Sequence, residues 1–304
     1  MLRFIARRLL EAIPVLFIIA TLTFFMAKKA PGGPFDTEKA TAPEIRKKLE
    51  EHYGLNKPLF EQYVTYMGDL VRGDLISFKY MNWSVNELIL SSFPVTLELA
   101  CYALAIALTI GMIAGILAAL RPNSPMDYIP MSLAMIGICL PTFVMGPLLI
   151  LIFGLTLGWF NSSGWFFPED RILPALTLAG YYTAYIARLG RGGMLEILGQ
   201  DYIRTARAKG AKEARVVLKH ALRGGILPIV SFLGPAVAHL LTGSLVVETI
   251  FQVPGLGRFF VTAATNRDYM MVMGTVMFFA VLIILMNMLV DIVQVWLNPK
   301  LRLQ

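Results

Sequence analysis

Six stretches of this sequence are nearly free of charged side chains and are long enough to cross a lipid bilayer. A helix needs about 20 predominantly apolar residues to span the hydrocarbon core. The stretches that meet this length are residues 9–30, 95–120, 130–153, 172–190, 226–249 and 272–296. Because the bilayer core offers no water to backbone N–H and C=O groups, such stretches must be helical. The sequence therefore predicts an all-α integral membrane protein with six transmembrane helices.

The composition agrees with residence in a membrane. Of the 304 residues, 57% are hydrophobic and 15% are charged, whereas about 25% of residues are charged in an ordinary soluble domain. The net charge of +7 fits basic cytoplasmic loops, which are typical of membrane proteins. In many nucleic-acid-binding surfaces aromatic residues interleave the basic residues. That pattern is not found among the basic residues of this sequence. We therefore expect membrane lipid around the chain and no nucleic-acid partner.

The distribution of Lys and Arg predicts the orientation, since short cytoplasmic loops are enriched in positive charge. If the N-terminus is cytoplasmic, the short segments on the outer side hold only Arg171, Arg258 and Arg267. The inner segments then hold the basic residues near both termini, Arg121 and the basic run from Arg188 to Arg223. Both termini are therefore predicted to be cytoplasmic. A cleaved signal peptide is the alternative for the first stretch, but no small-residue cleavage site follows it.

The chain is predicted to have four parts: an N-terminal transmembrane helix (1–30), an extracytoplasmic insert (31–93), a membrane core (94–293) that includes a cytoplasmic loop (191–225), and a cytoplasmic tail (294–304). Within the insert, capping boxes at Thr41–Glu44 and Ser84–Glu87 predict two helix starts. The first helix is expected to stop near Gly54, and the last to end at Phe93 and Pro94. Between them, Pro58 suits a first helical position. A stripe of apolar side chains should follow it on one helix face: Leu59, Tyr63, Met67 and Leu70. The insert is either a docking surface for an external partner or a structural lid.

Motifs of enzymes and metal sites are not apparent in the sequence. The three histidines, His52, His220 and His239, do not form an HExxH pair, and no G-x-x-x-x-G-K-[ST] loop is present to hold a nucleotide. We therefore expect no catalytic residue, metal or cofactor in this chain. His239 falls near the middle of the fifth span, where it either lines a solute path or hydrogen-bonds between helices. Few carboxylates fall at mid-membrane depth, which argues against an ion-coupled secondary transporter.

One basic segment interrupts the apolar stretches: DYIRTARAKGAKEARVVLKHALRGGILP, residues 201–228. Asp201 is a predicted N-cap for a short helix over 202–209, and Gly210 is its predicted stop. A second, amphipathic helix is expected over 212–223, with Gly224 and Gly225 ending it before the next span. Basic cytoplasmic composition explains the charge of this segment but not its cap, its glycine stop or its small residues. Ala206, Ala208 and Gly210 would let the backbone of another protein approach closely.

The motifs RTARAKG (204–210) and HALRGGILP (220–228) resemble the EAA loop of ABC importer permeases in the peptide/nickel branch. Arg204, Thr205 and Ala206 stand where the general pattern has Glu-Ala-Ala, and the distance from Gly210 to Pro228 is longer than in that pattern. Both departures are typical of the peptide branch. Three further segments are similar to the same branch: FIARRLLEAIPVLF, SFPVTLELA and ETIFQVPGLGRFFVTAATNRDY. The length and the segment SFKYMNWSVNELILSSFP are most similar to the oligopeptide permeases.

This resemblance implies a type I ABC importer permease fold in a bacterial cytoplasmic (inner) membrane. It implies oligopeptide import by alternating access, in a complex with a second homologous permease subunit, two ABC ATPase subunits and an extracytoplasmic peptide-binding protein. ATP hydrolysis is then expected in the partner subunits. The ATPase contact is expected at five residues: Arg204, Thr205, Ala206, Ala208 and Gly210. Dipeptides, nickel or another small solute remain alternative substrates within the branch.

Cysteine labelling tests the predicted orientation. On a background lacking Cys101 and Cys139, cysteines at Asn56 and Ser163 should react with a membrane-impermeant reagent added outside intact cells. Cysteines at Asn123 and Lys212 should react only after the membrane is opened. Labelling of the Lys212 position from outside would reverse the orientation.

Overall fold

The chain is helical over the residues that the structure describes. The structure is a computed structural model and describes residues 2–35, 43–80 and 83–297. The α-helices are α1 (Leu2–Lys29), α2 (Pro43–His52), α3 (Leu59–Arg72), α4 (Val85–Leu120), α5 (Pro125–Cys139), α6 (Thr142–Leu149), α7 (Ile172–Leu198), α8 (Asp201–Ala208), α9 (Glu213–Arg215), α10 (Leu222–Gly225), α11 (Leu227–Gly243), α12 (Leu245–Ile250), α13 (Leu256–Thr265) and α14 (Tyr269–Leu297). Residues Ile150–Thr156 and Val216–Ala221 form π-helical turns, and Pro168–Arg171 a 3₁₀ turn. The all-α prediction is confirmed.

Among the residues that the structure describes, four helical segments are long and apolar enough to cross a membrane: Ala6–Lys29, Val85–Leu120, Leu227–Ile250 and Tyr269–Val293. The pair Pro125–Cys139 and Thr142–Thr156 passes the same test together. Helix α7 corresponds to the predicted span 172–190 but is not among these segments, because its tyrosines and arginines lower its hydropathy. The count of six spans and the cytoplasmic termini stay predictions.

The predicted span 130–153 is bent by 108° between α5 and α6. Leu140, at the bend, has an extended backbone with φ −94° and ψ 115°. The next residue, Pro141, disfavours helical geometry in the residue before it and has no N–H to donate. The proline therefore accounts for the position of the bend.

The chain forms two compact units, and the first comprises Met1–Val95 and Pro254–Leu285. Its core joins side chains of α1, α3, the start of α4, α13 and α14, among them Phe24, Tyr66, Leu88, Leu256 and Met271. Phe24 and Tyr66 stack with their ring centroids 5.5 Å apart. The α3 stripe is confirmed in part: Tyr63, Met67 and Leu70 pack against this core, whereas the Leu59 side chain is 49% exposed.

The capping boxes and helix ends of the insert agree only in part with the sequence. The Ser84 N–H donates to the Glu87 carboxylate at 2.8 Å, and the Glu87 N–H donates to Ser84 Oγ at 3.1 Å, which confirms the second capping box. Thr41, of the first box, lies outside the described residues. The predicted helix end at Phe93 and Pro94 is wrong, because α4 continues through Pro94 to Leu120. A proline removes one N–H donor from the helix ladder, and apolar packing of the first turns of α4 in this unit offsets that loss.

Asp268 joins the insert to the start of α14 within the first unit. Its side chain is fully buried. It accepts hydrogen bonds from Ser77 Oγ and from the backbone N–H groups of Phe78 at 3.1 Å, Lys79 at 3.3 Å and Met271 at 3.2 Å. One carboxylate therefore caps α14 and fixes the loop that precedes α4.

The second unit comprises Thr96–Val253 and Met286–Gln304, and α7 lies at its centre. Helices α4, α5 and α10 approach α7 so closely that backbone meets backbone. A Cβ added to Gly115 of α4 would lie 2.5 Å from the Ala187 carbonyl oxygen, and one added to Gly193 of α7 would lie 2.3 Å from the Gly225 carbonyl oxygen. Small residues at such crossings are how membrane helices gain packing energy. The GMIAG motif at residues 111–115 therefore serves helix packing.

We predict that Asp268→Ala lowers the stability of the assembled protein, because it strands buried N–H donors. Each unsatisfied buried donor costs roughly 1–3 kcal/mol, so the thermal midpoint in detergent should fall by several degrees. Glu61→Gln, at an exposed position of α3, is the matched acidic control and should leave the midpoint unchanged. Equal midpoints for the two variants would contradict the structural role of Asp268.

Candidate functional site

The basic segment folds as a short helix held by one buried side chain. Only Gly199 and Gln200 separate α8 from the end of α7. Ile203 is fully buried in a cluster with Met194 of α7 and with Val216, Val217 and Ala221 of the following helical segment. Ala206, one turn further along α8, is half-buried against the same cluster. Because this anchor includes a side chain of α7, the position of α8 is tied to that helix.

The outer face of α8 is open. Four of the five predicted contact residues are exposed, namely Arg204, Thr205, Ala208 and Gly210, and Ala206 is half-buried. Tyr202 is also 49% exposed. The structure thus brings the five predicted residues onto one short helix and the turn that ends it.

Gly210 ends α8 by its backbone conformation. Its φ is +80°, in the left-handed region that glycine adopts without strain. The turn is closed by N–H donors of Gly210 to the Arg207 carbonyl at 2.9 Å and of Ala211 to the Ala206 carbonyl at 3.2 Å. A Cβ at Gly210 would meet no atom within 4 Å. A side chain at this position is therefore disfavoured by torsion alone, and the predicted glycine stop is confirmed.

An ion pair connects α8 to the next helix. Two Arg207 nitrogens donate to the Glu213 carboxylate, Nη2 at 2.6 Å and Nε at 3.1 Å. These hydrogen bonds are the main cause that lowers the pKa of Glu213 below its ordinary value, and burial opposes them weakly. Both side chains are largely exposed, so the pair orients the turn around Gly210 more than it stabilises the fold. Sequence analysis missed it, although Glu213 was the only acid within the basic run.

Two details of the predicted segment are wrong. Gln200 is the N-cap of α8, and Asp201 is its first residue, with a side chain that is 97% exposed. The second helix starts at Glu213 after an extended Lys212, and it continues through a π-helical turn to Gly225. Gly224 and Gly225 do not break it. They pack against α7 instead, where a Cβ on Gly225 would lie 2.5 Å from the Met194 sulfur.

A partly buried ion pair that the sequence analysis missed connects α5 to α7. Asp127 is 2% exposed, and its two oxygens accept from Arg191 Nε at 2.6 Å and Nη2 at 2.7 Å. Asp127 Oδ2 also accepts the Asn123 N–H at 3.0 Å. The partners are 64 residues apart in the chain, so no local sequence pattern predicts their contact. The sequence feature that could have indicated this pair is Asp127 itself, an acid in the first turn of the helix that begins at Pro125 after Ser124.

His239 lies on α11, and its side chain is exposed. Its imidazole is therefore not enclosed between helices of this chain. Among the described residues, no three His, Cys, Asp or Glu side chains group as metal ligands.

Comparison with known proteins places this arrangement in a family. Residues 111–303 match the model of the binding-protein-dependent transport system inner membrane component, and residues 1–100 match the N-terminal model of the corresponding membrane component. The chain is 47% identical to the oligopeptide transport system permease protein OppB of Haemophilus influenzae, over 99% of this chain and all of the relative. It is 46% identical to OppB of Escherichia coli, with the same coverage. It is also 41% identical to the dipeptide transport system permease protein DppB of Bacillus subtilis, over 100% of this chain and 99% of the relative.

Two solved structures share the fold at low sequence identity. A chain of an amino acid ABC transporter, solved with histidines, superposes with a TM-score of 0.54 and 21% identity, over 69% of this chain and 94% of that chain. A chain of the MetNI methionine ABC transporter, in an inward-facing conformation, gives a TM-score of 0.56 and 19% identity, over 69% and 96%. The fold is that of type I ABC importer permeases. By sequence and by fold, this chain belongs to the family of binding-protein-dependent transport system inner membrane components.

Proposed function

We propose that the chain is a membrane-spanning permease subunit of an ATP-driven importer of oligopeptides. The substrate is inferred from the relatives, since identity to the oligopeptide permeases reaches 47% and identity to the dipeptide permeases reaches 41%. Dipeptide transport is the alternative that this second group supports. Uptake of peptides of graded length by the reconstituted complex distinguishes the two substrates.

The observation that supports the coupling role is the way in which α8 is attached to the rest of its unit. Ile203 is the one fully buried side chain of this helix and Ala206 is half-buried, whereas its other side chains are exposed and open to a partner. We assign α8 as the helix that seats in a cytoplasmic ATPase subunit, with Arg204, Thr205, Ala206, Ala208 and Gly210 at the contact. Closure of two ATPases on bound ATP then moves α8, and α7 with it, to alternate access to the path.

The remaining partners follow from this assignment. A second, homologous permease subunit completes the solute path, and two ABC ATPase subunits hydrolyse the nucleotide. An extracytoplasmic binding protein delivers the peptide, and the insert 31–93 is either the surface on which it docks or a structural lid. The complex resides in a bacterial inner membrane.

Substitution at Gly210 tests the coupling role. Gly210→Val places a β-branched residue at φ +80°, which strains the turn by about 1–3 kcal/mol and misplaces α8. We expect peptide uptake to be lost, with either copurification of the ATPases or stimulation of their hydrolysis by loaded binding protein lost as well. The membrane helices should still insert, since no atom near Gly210 would be displaced.

Two control variants separate backbone conformation from bulk and charge. Gly210→Asn adds a side chain that tolerates the left-handed region, so it should keep most of the uptake. Lys212→Gln removes one exposed charge, which is typically worth under about 1 kcal/mol, and should have little effect. Normal uptake by the valine variant, or an equal defect in all three, would argue against α8 as the ATPase contact.

We also propose that His239 faces the solute path. If it does, His239→Ala should reduce uptake while the complex assembles with an unchanged thermal midpoint. A histidine that joins helices between subunits would give the opposite pattern, with weaker assembly or a lower midpoint. Transport rate and size-exclusion profile, measured on the same preparation, separate these results.

A further inference from the structure

Helix α7 carries a polar stripe on its exposed side. Tyr181, Arg188, Gly192 and Glu196 are exposed, and Tyr185 is half-buried. Their spacing of three or four residues places all five on one face of a helix. Most other residues of α7 are buried or half-buried against neighbouring helices. The open face of α7 thus presents no aliphatic side chain along these four turns.

This face differs in chemistry from one that meets lipid. In the middle of α1 the exposed side chains are apolar, among them Ile13, Phe17, Ile18 and Leu22. Such residues suit contact with hydrocarbon, whereas an arginine there is costly. Arg188 stands 16 residues after Ile172, which is about 24 Å along the helix at 1.5 Å per residue. Arg188 is therefore near the inner end of the predicted span 172–190, where water or an anion must solvate its charge.

Two arginines on α7 have opposite electrostatic surroundings. Arg191 is neutralised by the bidentate contact with Asp127. Arg188 donates to the sulfur of Met135 and has its guanidinium 6.0 Å from the centre of the Tyr185 ring. Within residues 2–35, 43–80 and 83–297, no carboxylate forms an ion pair with it. Arg191, which has a counter-ion in this chain, and Arg188, whose charge faces outward, are thus one helical turn apart.

Aromatic rings extend the stripe onto the neighbouring helix. The Tyr181 and Tyr185 ring centroids are 4.7 Å apart, and Tyr185 stacks on Phe232 of α11 at 5.5 Å. On α11 the exposed residues Ser231, Pro235 and His239 recur every fourth position. The two helices together give a surface of rings, hydroxyls and the guanidinium of Arg188.

We propose that this surface lines the water-filled path and that Arg188 binds the C-terminal carboxylate of the transported peptide. This inference rests on the proposed peptide-import function. A guanidinium matches a carboxylate with two parallel hydrogen bonds, and every linear peptide with a free C-terminus carries that group. The tyrosine rings contact peptide planes and side chains without demanding a sequence. An aqueous path solvates Arg188 between transport cycles, whereas burial in a dry subunit interface would require a carboxylate from the partner subunit.

Cysteine accessibility tests whether water reaches the stripe. Tyr181→Cys and His239→Cys, each on a background lacking Cys101 and Cys139, should react with a water-soluble thiol reagent in the assembled complex. Both positions are exposed and fall near the middle of their predicted spans, so a water-soluble reagent reaches them only along an aqueous path. Ile18→Cys, on the apolar face of α1, is the control and should stay unreacted. If both stripe cysteines resist the reagent as Ile18→Cys does, the stripe is covered by protein or lipid and the proposal is overturned.

Uptake of a free-acid peptide and of its C-terminal amide tests the role of Arg188. Both peptides are first shown to load the binding protein, and uptake by the full complex is compared at saturating load. Arg188→Gln should lower the ratio of acid to amide uptake about tenfold, the size of one charge-assisted hydrogen bond. Arg188→Lys keeps the charge and should retain most of the ratio. The Arg188→Lys variant also keeps the test valid if the glutamine substitution disturbs folding. Arg121→Gln, at an exposed loop arginine, should not change the ratio.

An unchanged ratio in Arg188→Gln overturns the carboxylate assignment. The failure of the proposed function looks different, because the unmodified complex would then take up neither peptide under ATP. The thiol reaction is independent of the substrate, so it reports on the stripe in either case.

Discussion

Backbone-to-backbone contact along α7 is the constraint on which the second unit depends. Lipid chains are as apolar as leucine, so a membrane helix gains little from hiding hydrophobic side chains and associates through close packing instead. In this chain α4 and α10 each bring backbone against α7 at a position where a methyl group would not fit. The Asp127–Arg191 pair adds a charged contact between α5 and α7. A helix held in this way from several sides has few independent motions left.

That restriction bears on the coupling role proposed for the short helix α8. Helix α8 follows α7 after two residues, and its single buried side chain rests partly on Met194 of α7. A push on the exposed face of α8 is therefore transmitted to a helix that already contacts most of the second unit. An eight-residue helix on a flexible tether would absorb the same push. The ion pair between Arg207 and Glu213 limits that flexibility at the turn around Gly210.

The sequence predicted features that depend on local geometry or on hydropathy. Gly210 was predictable because ending a helix in the left-handed region favours glycine, and the Ser84–Glu87 box because both partners lie within one turn. Features decided by distant neighbours were not predictable. Gly224 and Gly225 look like a helix break, yet they are small because α7 lies against them. Asp127 and Arg191 are 64 residues apart in the chain. The continuation of α4 through Pro94 depends on packing that the sequence does not display. The predicted N-cap of α8, Asp201, was wrong by one residue, since Gln200 takes the extended conformation at the cap.

The glycine contacts of α7 also determine how its neighbours can move. A helix interface made of interdigitated leucines and phenylalanines shifts only if side chains change rotamer, and each such change passes over a torsional barrier. Where Gly115 meets the Ala187 carbonyl and Gly193 meets the Gly225 carbonyl, the touching surfaces are smooth main chain with no rotamers to exchange. Shear between packed helices consists of small sliding displacements. At these crossings a slide of about an ångström requires no repacking of side chains, so the C-terminal half of α7 combines tight contact with low internal friction.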